Sequence, residues 1–288
     1  MTISAPAKIN LSLRVLGRRE DGFHAIESLM VPVSIGDTLE ITPHDAALEF
    51  GCDDASLPVD ETNLVVRAAR LFGEACGLEP RVRIALQKQI PHGAGLGGGS
   101  SDAAATLLAL NALFGTHRSL ADLSAIAAQI GSDVPFFLHR CAAMVSGRGE
   151  IVTPCPFVHS LPLLLIKPPF GVPTPWAYQR WRDSREIPAV RYAPQEFAWG
   201  TLVNDLERPV FEKYLFLAQL KMWLLAQAEV AGALLSGSGS TVFAVLREAA
   251  LGGALRERVC AEFGPNLWTA TAQTTSADGG SVPPAARR

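Results

Sequence analysis

The chain has 288 residues, of which 48% are hydrophobic and 18% charged, and its formal net charge is −3 at pH 7. At roughly 100–200 residues per domain, this length predicts two domains or one large domain, and the apolar content excludes an intrinsically disordered chain. Because there is no excess of basic residues to neutralise a phosphate backbone, we expect no nucleic acid as the principal partner.

We also expect neither membrane insertion nor secretion. The first residues lack the basic and apolar regions of a signal peptide. The most apolar stretches, 161–166 and 224–235, are far shorter than the ~20 residues that a membrane-spanning helix needs. The cysteines are scattered and never in C-x-x-C spacing, which is typical of reduced, mostly buried thiols in a cytoplasmic protein. They are Cys52, Cys76, Cys141, Cys155 and Cys260.

The first half of the chain begins with a segment of alternating apolar and polar residues, 7–15. This alternation predicts a half-buried strand with Lys8 and Asn10 on its polar face. Residues 38–42 and 82–86 predict two further strands.

Two helices are expected between these strands and the middle of the chain. Residues 62–76 carry apolar residues at helical spacing and meet Gly77, a common stop signal. Ser119, followed three residues later by Asp122, resembles a capping box that opens a helix closed by Gly131.

The second half of the chain predicts a strand at 161–167, one or two helices within 207–230, a strand at 241–246 and a helix at 247–263. Strands and helices do not alternate steadily, so the fold class is expected to be α+β. The small, polar, proline-containing segment 273–288 is expected to form a disordered tail.

The strongest local signal is the glycine-rich segment 91–101, which follows a predicted strand and leads into an Ala/Leu-rich helix. Glycines allow the backbone to approach an anion closely, and the start of a helix adds unpaired N–H groups. A flexible linker is the alternative, but a linker does not normally run straight into such a helix. The segment therefore predicts a phosphate-binding loop.

Two well-known phosphate loops do not fit this segment. Gly93, Gly95 and Gly98 match the spacing of a dinucleotide fingerprint, but no strand ending in an acidic residue follows about 20 residues later. A Walker A loop needs a lysine after its glycines, and none is present here.

The loop instead resembles that of the GHMP kinase superfamily, ATP-dependent kinases of small molecules. Two other segments, 5–11 and 235–243, match this superfamily in the same order. Residues 19–24, 131–136 and 204–207 are similar to the 4-diphosphocytidyl-2-C-methyl-D-erythritol kinases within it, and the resemblance covers about residues 5–270.

This resemblance implies a fold and a reaction. The expected fold is the two-domain α+β GHMP kinase fold, with a ribosomal protein S5-like α/β domain at 1–158 and a ferredoxin-like α+β domain at 159–272. ATP and Mg²⁺ would meet the alcohol between the domains, and the 2-hydroxyl of 4-diphosphocytidyl-2-C-methyl-D-erythritol would be phosphorylated, a step of the non-mevalonate route to isoprenoid precursors.

The resemblance also assigns two catalytic residues. Asp133 would be the base that accepts the proton of the substrate hydroxyl; the alternative is a helix N-cap. Lys8 would keep this carboxylate ionised and favour the alkoxide-like oxygen, whereas a solvated lysine is the alternative. Asn10 shares the strand face of Lys8 and would bind substrate.

For the alcohol substrate, the resemblance points to four further residues. Phe23 and His24 would hold the cytosine base, with Phe23 standing where relatives usually have Tyr and therefore lacking a hydroxyl. Thr174 and Tyr178, in a proline-rich turn, would form a second wall, although a rigid turn alone would also explain this segment.

For the nucleotide, Asn63 and Lys88 are expected near the adenine and ribose, and Mg²⁺ would bind through the phosphates with a contact to Ser100 or Ser101. The other expected ATP-binding residues are Pro91, Gly93, Ala94, Gly95, Leu96, Gly97, Gly98, Gly99, Gly237 and Ser238.

Two other functions stay open at this point. One is a GHMP kinase for another small alcohol; the other is a catalytically silent ligand-binding protein with the same fold. The presence of Lys8, Asp133 and the Ser100/Ser101 pair argues against the silent form. A monomer or weak homodimer is expected.

Overall fold

The computed structural model describes residues 1–275 and contains two β-sheets flanked by helices. The strands, in chain order, are β1 Thr2–Arg18, β2 His24–Pro43, β3 Glu49–Cys52, β4 Val82–Gln87, β5 Ala143–Gly147, β6 Ile151–Pro154, β7 Pro162–Lys167, β8 Gln195–Phe197, β9 Gly200–Asn204, β10 Val230–Leu235, β11 Val242–Leu246 and β12 Trp268–Gln273.

The helices account for most of the remaining regular structure. They are α1 Leu64–Cys76, α2 Gly98–Leu113, α3 Leu120–Ile130, α4 Val134–His139, α5 Thr174–Arg180, α6 Glu207–Lys213, α7 Leu215–Leu225 and α8 Gly252–Phe263, with short 3₁₀ turns at Trp181–Asp183 and Ala249–Leu251. None of the helices within residues 1–275 has the length and apolar character to cross a bilayer.

The larger sheet runs in the order β3-β4-β2-β1-β9-β8, with β5 pairing with β2 and β6 pairing with β5, and the smaller sheet runs β10-β11-β7-β12. The fold is α+β, as expected from the sequence. Apolar side chains of β1, such as Ile9 and Leu11, share a hydrophobic cluster with Leu163 and Phe243 of the smaller sheet. The two sheets therefore meet over a common core that includes the strand carrying Lys8.

Strand β1 corrects one expectation. The alternating pattern predicted a face exposed to solvent, but Lys8 is 3% and Asn10 0% exposed. Both faces of the strand are covered at this point, because helix α2 and the loop before it lie against β1. A solvated Lys8 is thus excluded by the structure.

Helix boundaries follow the capping signals closely. Asn63 caps α1 through a bond from the Val65 N–H, and Gly77 ends it in the left-handed conformation. Ser119 and Asp122 form the predicted capping box of α3. In the region predicted to hold one or two helices, α6 and α7 are two helices separated at Tyr214.

The predicted boundary at residue 158/159 does not separate the sheets cleanly. Hairpin β8–β9 lies in the second half of the chain but extends the larger sheet, because β9 pairs in parallel with Ser12 and Leu13 of β1. The second half of the chain therefore contributes two strands to the larger sheet, in which β1 carries Lys8 and Asn10.

Residues 273–275, which were expected to belong to the tail, are part of the folded structure. Strand β12 includes Gln273, and Thr274 is buried, bonding through its hydroxyl to His159 O and Leu161 N. Thr275 N donates to Pro32 O. These contacts close the smaller sheet onto the larger one; residues 276–288 of the predicted tail lie outside the described part.

All five cysteines are half-buried free thiols, less buried than expected.

Candidate active site

A cleft of about 750 Å³ runs between the glycine-rich loop, the β1–β2 connection and helix α5. Of the site residues expected from the sequence, it brings together all but Ser101 along one wall or another. It therefore joins the expected phosphate loop, the Lys8/Asp133 pair and the expected cytosine pocket in one continuous space.

Lys8 lies at the centre of this cleft in a fixed orientation. Its Nζ donates to Asn10 Oδ1 at 2.7 Å and to Gly95 O at 2.9 Å, and lies 3.8 Å from Asp133 Oδ2. Asn10 is held in turn by its bond to Ser28 Oγ at 2.8 Å. Burial lowers the pKa of Lys8, and the charge of Asp133 partly opposes this. The ammonium group is thus aimed between the glycine loop and Asp133.

Asp133 precedes α4 but does not cap it. Its side chain is 34% exposed and makes no cap hydrogen bond. Within residues 1–275, no N–H or O–H group lies at bonding distance from its carboxylate, apart from the longer ion pair with Lys8. The carboxylate therefore faces the cleft with its oxygens available, so the geometry does not support the capping alternative.

The glycine loop is shaped by positions that only glycine can fill. Gly95 has φ +73°, and a Cβ placed on it would lie 2.2 Å from Ser236 O. Gly97 has φ +72°, and its Cβ would lie 2.6 Å from the Phe137 ring. The loop is held to the second half of the chain by the bond from Thr241 N to Ala94 O.

Helix α2 begins directly after this loop with its N-terminus at the cleft. Gly97, the N-cap residue, supplies no side-chain bond, so the N–H groups of the first turn can donate hydrogen bonds to an anion. Ser100 lines the cleft, whereas Ser101 is 1% exposed, does not line it, and has a hydroxyl without a partner in the described structure. Of the two serines, Ser100 is the one placed to meet a ligand.

Lys88 and Asn63 line the cleft but are engaged in structural contacts. Lys88 Nζ bonds to Asp37 Oδ2 at 2.5 Å and Asp102 Oδ2 at 2.8 Å. Burial and the Asp37 charge raise the pKa of Asp102 to about 7, although Lys88 opposes them. Asn63 uses its amide for the α1 cap and for Pro58 O. The charge of Lys88 is therefore balanced within the protein.

The far end of the cleft is aromatic. His24 stacks on Tyr178 with ring centroids 5.5 Å apart, and Trp181 meets His24 edge-on. Burial and nearby Arg18 lower the pKa of His24, which favours the neutral ring at pH 7. Phe23 is 48% exposed, and the Arg148 guanidinium lies 4.9 Å from its ring centroid. The exposed Phe23 ring and the neutral His24 are therefore both accessible to a planar ligand.

Thr174 joins this end of the cleft to the 236–241 loop. Its hydroxyl lies 2.8 Å from Ser238 Oγ, and both residues line the cleft. Gly237, beside them, would bring a Cβ to 3.3 Å from Lys8 Nζ. The 236–241 loop, which holds the expected ATP-binding residues Gly237 and Ser238, therefore lies against Lys8.

Comparisons with known proteins show the family to which the chain belongs. Residues 63–140 match the model of the GHMP kinases N-terminal domain, and 195–266 match that of the GHMP kinases C-terminal domain. A 4-diphosphocytidyl-2-C-methyl-D-erythritol kinase of Methylacidiphilum infernorum is 44% identical over 92% of this chain and 93% of its own length. The chain belongs to this kinase family.

A further relative and two solved structures are also similar to this chain. An enzyme of that name from Deinococcus radiodurans is 41% identical over 93% of this chain and 91% of its own length. A crystal structure of 4-(cytidine 5'-diphospho)-2C-methyl-D-erythritol kinase is 36% identical, with a TM-score of 0.79 over 96% of this chain and 100% of that one. A mevalonate kinase structure, 12% identical with a TM-score of 0.69 over 96% of this chain and 99% of that one, shares the fold.

Sequence reasoning missed one cation of this kinase's cleft. Arg148 sits in the turn between β5 and β6, flanked by Gly147 and Gly149, both with positive φ. Its guanidinium donates to Ala128 O, and no carboxylate of the described residues lies within ion-pair distance. The glycines on either side signal a tight turn, but nothing local indicates that this turn faces Phe23.

Proposed function

We propose that this kinase transfers the γ-phosphoryl group of ATP to the 2-hydroxyl of 4-diphosphocytidyl-2-C-methyl-D-erythritol. The observation that carries the proposal is the position of the Lys8–Asp133 pair. Its 3.8 Å contact lies where the glycine loop and the aromatic pocket meet within one cleft. A nucleotide on one side and an alcohol on the other would bring their reacting ends together there.

The nucleotide side is proposed to use backbone groups. Loop residues 93–99 and the first turn of α2 would donate N–H bonds to the phosphates. Asn63 and Lys88 would form the wall beside the adenosine, contacting it without a free charge because the Lys88 ammonium is already paired. Gly237 and Ser238 would close over the phosphates from the other side.

Mg²⁺ fits the donors present here. Within residues 1–275 no cluster of three or more His, Cys, Asp or Glu side chains could hold a metal, and Mg²⁺ in kinases is commonly bound by substrate phosphates with one or two protein ligands. The Ser100 hydroxyl is a suitable oxygen ligand at the cleft. Bound in this way, Mg²⁺ neutralises charge on the phosphates.

The alcohol side is proposed to use side chains. The cytosine ring would stack on Phe23 and bond to the neutral His24, with Tyr178 supporting the histidine from behind. Arg148 would meet the substrate's diphosphate, and Thr174 and Asn10 would orient the erythritol end. These contacts distinguish this substrate from smaller alcohols.

Proton transfer is assigned to Asp133. Phosphoryl transfer passes through a loose transition state, so the protein mainly positions groups and stabilises charge. Asp133 would accept the proton as the hydroxyl oxygen attacks phosphorus, and Lys8 would stabilise negative charge on that oxygen and on the transferring group. Because Lys8 is fixed by Asn10 and Gly95, little reorganisation is needed during the reaction.

The test is ADP release in the presence of Mg²⁺ and ATP, with four alcohols compared at equal concentration. These are 4-diphosphocytidyl-2-C-methyl-D-erythritol, mevalonate, homoserine and galactose. Turnover confined to the cytidine substrate is the expected result, and phosphorus NMR of the product should show a new phosphomonoester. Turnover with another alcohol would replace the substrate, and no turnover with bound ATP would favour the silent ligand-binding alternative.

A further inference from the structure

The segment 204–207, Asn-Asp-Leu-Glu, matches the family but has no part in the steps described above. It joins the end of β9 to the start of α6. Asn204 is 5% and Glu207 1% exposed, and neither lines the cleft. Two buried polar side chains at such a junction need partners, and these partners indicate their role.

Asn204 bonds to the end of β10 and to the loop that follows it. Its Nδ2 donates to Leu235 O and to Gly237 O, each at 2.8 Å, and its Oδ1 accepts from Leu206 N at 2.9 Å. One amide group thus fixes two carbonyls on either side of Ser236. The direction of the chain as it enters the 236–241 loop is set by this side chain.

Glu207 holds the same segment from the other side. Its Oε1 accepts from Leu235 N at 3.0 Å, and its Oε2 accepts from Lys221 Nζ at 2.5 Å. Burial raises the pKa of Glu207, while Lys221 opposes this shift. A buried ion pair is often no more stabilising than apolar side chains of similar volume. The role of Glu207 is therefore better explained by its orientation of the Leu235 backbone than by the stability of its ion pair with Lys221.

The segment held in this way reaches the reacting groups. Gly237 has φ +57° and lies beside both Lys8 Nζ and Asn10 Oδ1. Gly237 and Ser238 line the cleft, and their backbone N–H groups donate to no residue within 1–275. Unpaired N–H groups in a left-handed turn form a concave site for an anion, and donors fixed before the reaction stabilise charge that develops in the transition state.

We propose that Asn204 and Glu207 are positioning residues that hold Gly237 and Ser238 with their N–H groups toward the phosphoryl group in transit. This inference rests on the proposed function. Neither side chain touches the substrate; both act through the Leu235–Gly237 backbone. Their loss should therefore lower the rate of phosphoryl transfer more than the binding of ATP.

The experiment measures kcat and both KM values of Asn204→Ala, Glu207→Ala and Glu207→Gln with Mg²⁺, ATP and the cytidine substrate. Since a displacement of about 1 Å at a reacting centre can cost up to ~100-fold in rate, we expect the two alanine variants to lose about 10- to 100-fold in kcat. KM for ATP should change less than about twofold. Glu207→Gln should recover part of the rate, because its amide oxygen can still accept from Leu235 N while its amide nitrogen cannot replace the contact to Lys221.

Asn111→Ala is the matched control. Asn111 also bonds through both ends of its amide to backbone, donating to Arg118 O and accepting from Arg118 N, but it lies outside the cleft. It should lose stability comparably while keeping its kcat. If Asn204→Ala does not fold, Asn204→Asp keeps the volume and removes the donors.

The outcomes separate the two proposals. A wild-type enzyme silent toward the cytidine substrate would remove the proposed function and this inference together. An active wild type with unchanged kcat in the alanine variants, or with losses that follow only the folded fraction measured by circular dichroism, would overturn the positioning role alone. A kcat loss in fully folded variants with rescue by Glu207→Gln is the supporting result.

Discussion

One end of the cleft is formed mainly by backbone groups and the other end by side chains. The end proposed to bind the nucleotide consists mainly of backbone: glycines at positions where a side chain would collide with neighbouring atoms, and the uncapped N-terminus of α2. The end proposed to bind the alcohol consists of side chains: Phe23, His24, Tyr178 and Arg148. Backbone N–H groups bind the phosphates of any nucleotide, whereas a set of rings and charges can discriminate between alcohols. Changes at the first end should therefore act sterically, and changes at the second end should act through contacts to one substrate.

The largest effect is expected between the two ends, at Asp133. We predict that Asp133→Ala lowers kcat at least ~100-fold, the usual scale for loss of a general base, while ATP binding is largely retained. Binding is measured by calorimetry with ATP, and turnover by ADP release. Asp122→Ala is the control, because Asp122 makes the cap contacts in α3 that Asp133 does not make in α4. Near-normal turnover of Asp133→Ala would contradict the base assignment.

Gly95→Ala tests the backbone-built end. The new Cβ would meet Ser236 O and Gly239 O in a φ +73° conformation, so the loop has to move away from both the phosphates and Lys8. We expect kcat/KM for ATP to fall about 30- to 100-fold, as for a displaced reacting group, together with a lower Tm.

Gly253→Ala provides the matched comparison for this change. No atom lies within 4 Å of a Cβ built at Gly253, which is in the first turn of α8. Alanine there should leave kcat unchanged. An equally active Gly95→Ala enzyme would show that the loop adapts and that its close contacts are not required.

The backbone-built end is also the end that the sequence predicts best. Glycine spacing, the stop of α1 at Gly77 and the capping box of α3 are local signals, and the structure has each of these where expected. Helix α2 is also present, but it begins at Gly98, within the glycine-rich segment that was expected to precede it. The Lys8–Asp133 contact was anticipated only through family resemblance, because it joins a strand to a turn far along the chain.

The features that sequence reasoning missed depend on contacts between distant segments. Lys88 was expected near the adenine and ribose, and nothing in the sequence indicated that Asp37 from β2 and Asp102 from α2 would converge on its ammonium group. Arg148 reaches Phe23 only because β5 pairs with β2 in the register that opposes Gly147 to Ile26. Such pairings follow from sheet topology, which local periodicity does not specify.

Arg148→Gln tests the side-chain-built end. Its guanidinium lacks a carboxylate partner among the described residues, and a charge-assisted hydrogen bond to a phosphate is worth about 1.5–3 kcal/mol. We expect KM for the cytidine substrate to rise about 10-fold or more, with kcat and KM for ATP within about threefold.

Arg67→Gln is a close control for that variant. Arg67 donates to Gln129 O and Arg148 to Ala128 O, neighbouring carbonyls of α3, but Arg67 does not line the cleft. Its substitution should leave both KM values unchanged. An equal rise in KM for ATP in Arg148→Gln would mean that the residue supports the cleft as a whole.

Phe23→Tyr is expected to produce the smallest change and gives the finest test of the comparison. Phe23 is 48% exposed and lines the cleft, with Arg148 4.9 Å from its ring centroid, so we expect the cleft to accommodate a hydroxyl on the ring. A new neutral hydrogen bond contributes about 0.5–1.5 kcal/mol; we therefore expect KM for the cytidine substrate to fall about two- to fivefold at constant kcat. Phe23→Leu, which keeps apolar character but removes the ring, should raise the same KM. If Phe23→Leu behaves like wild type, the cytosine does not stack on this residue, and His24 with Tyr178 must then provide the aromatic contact.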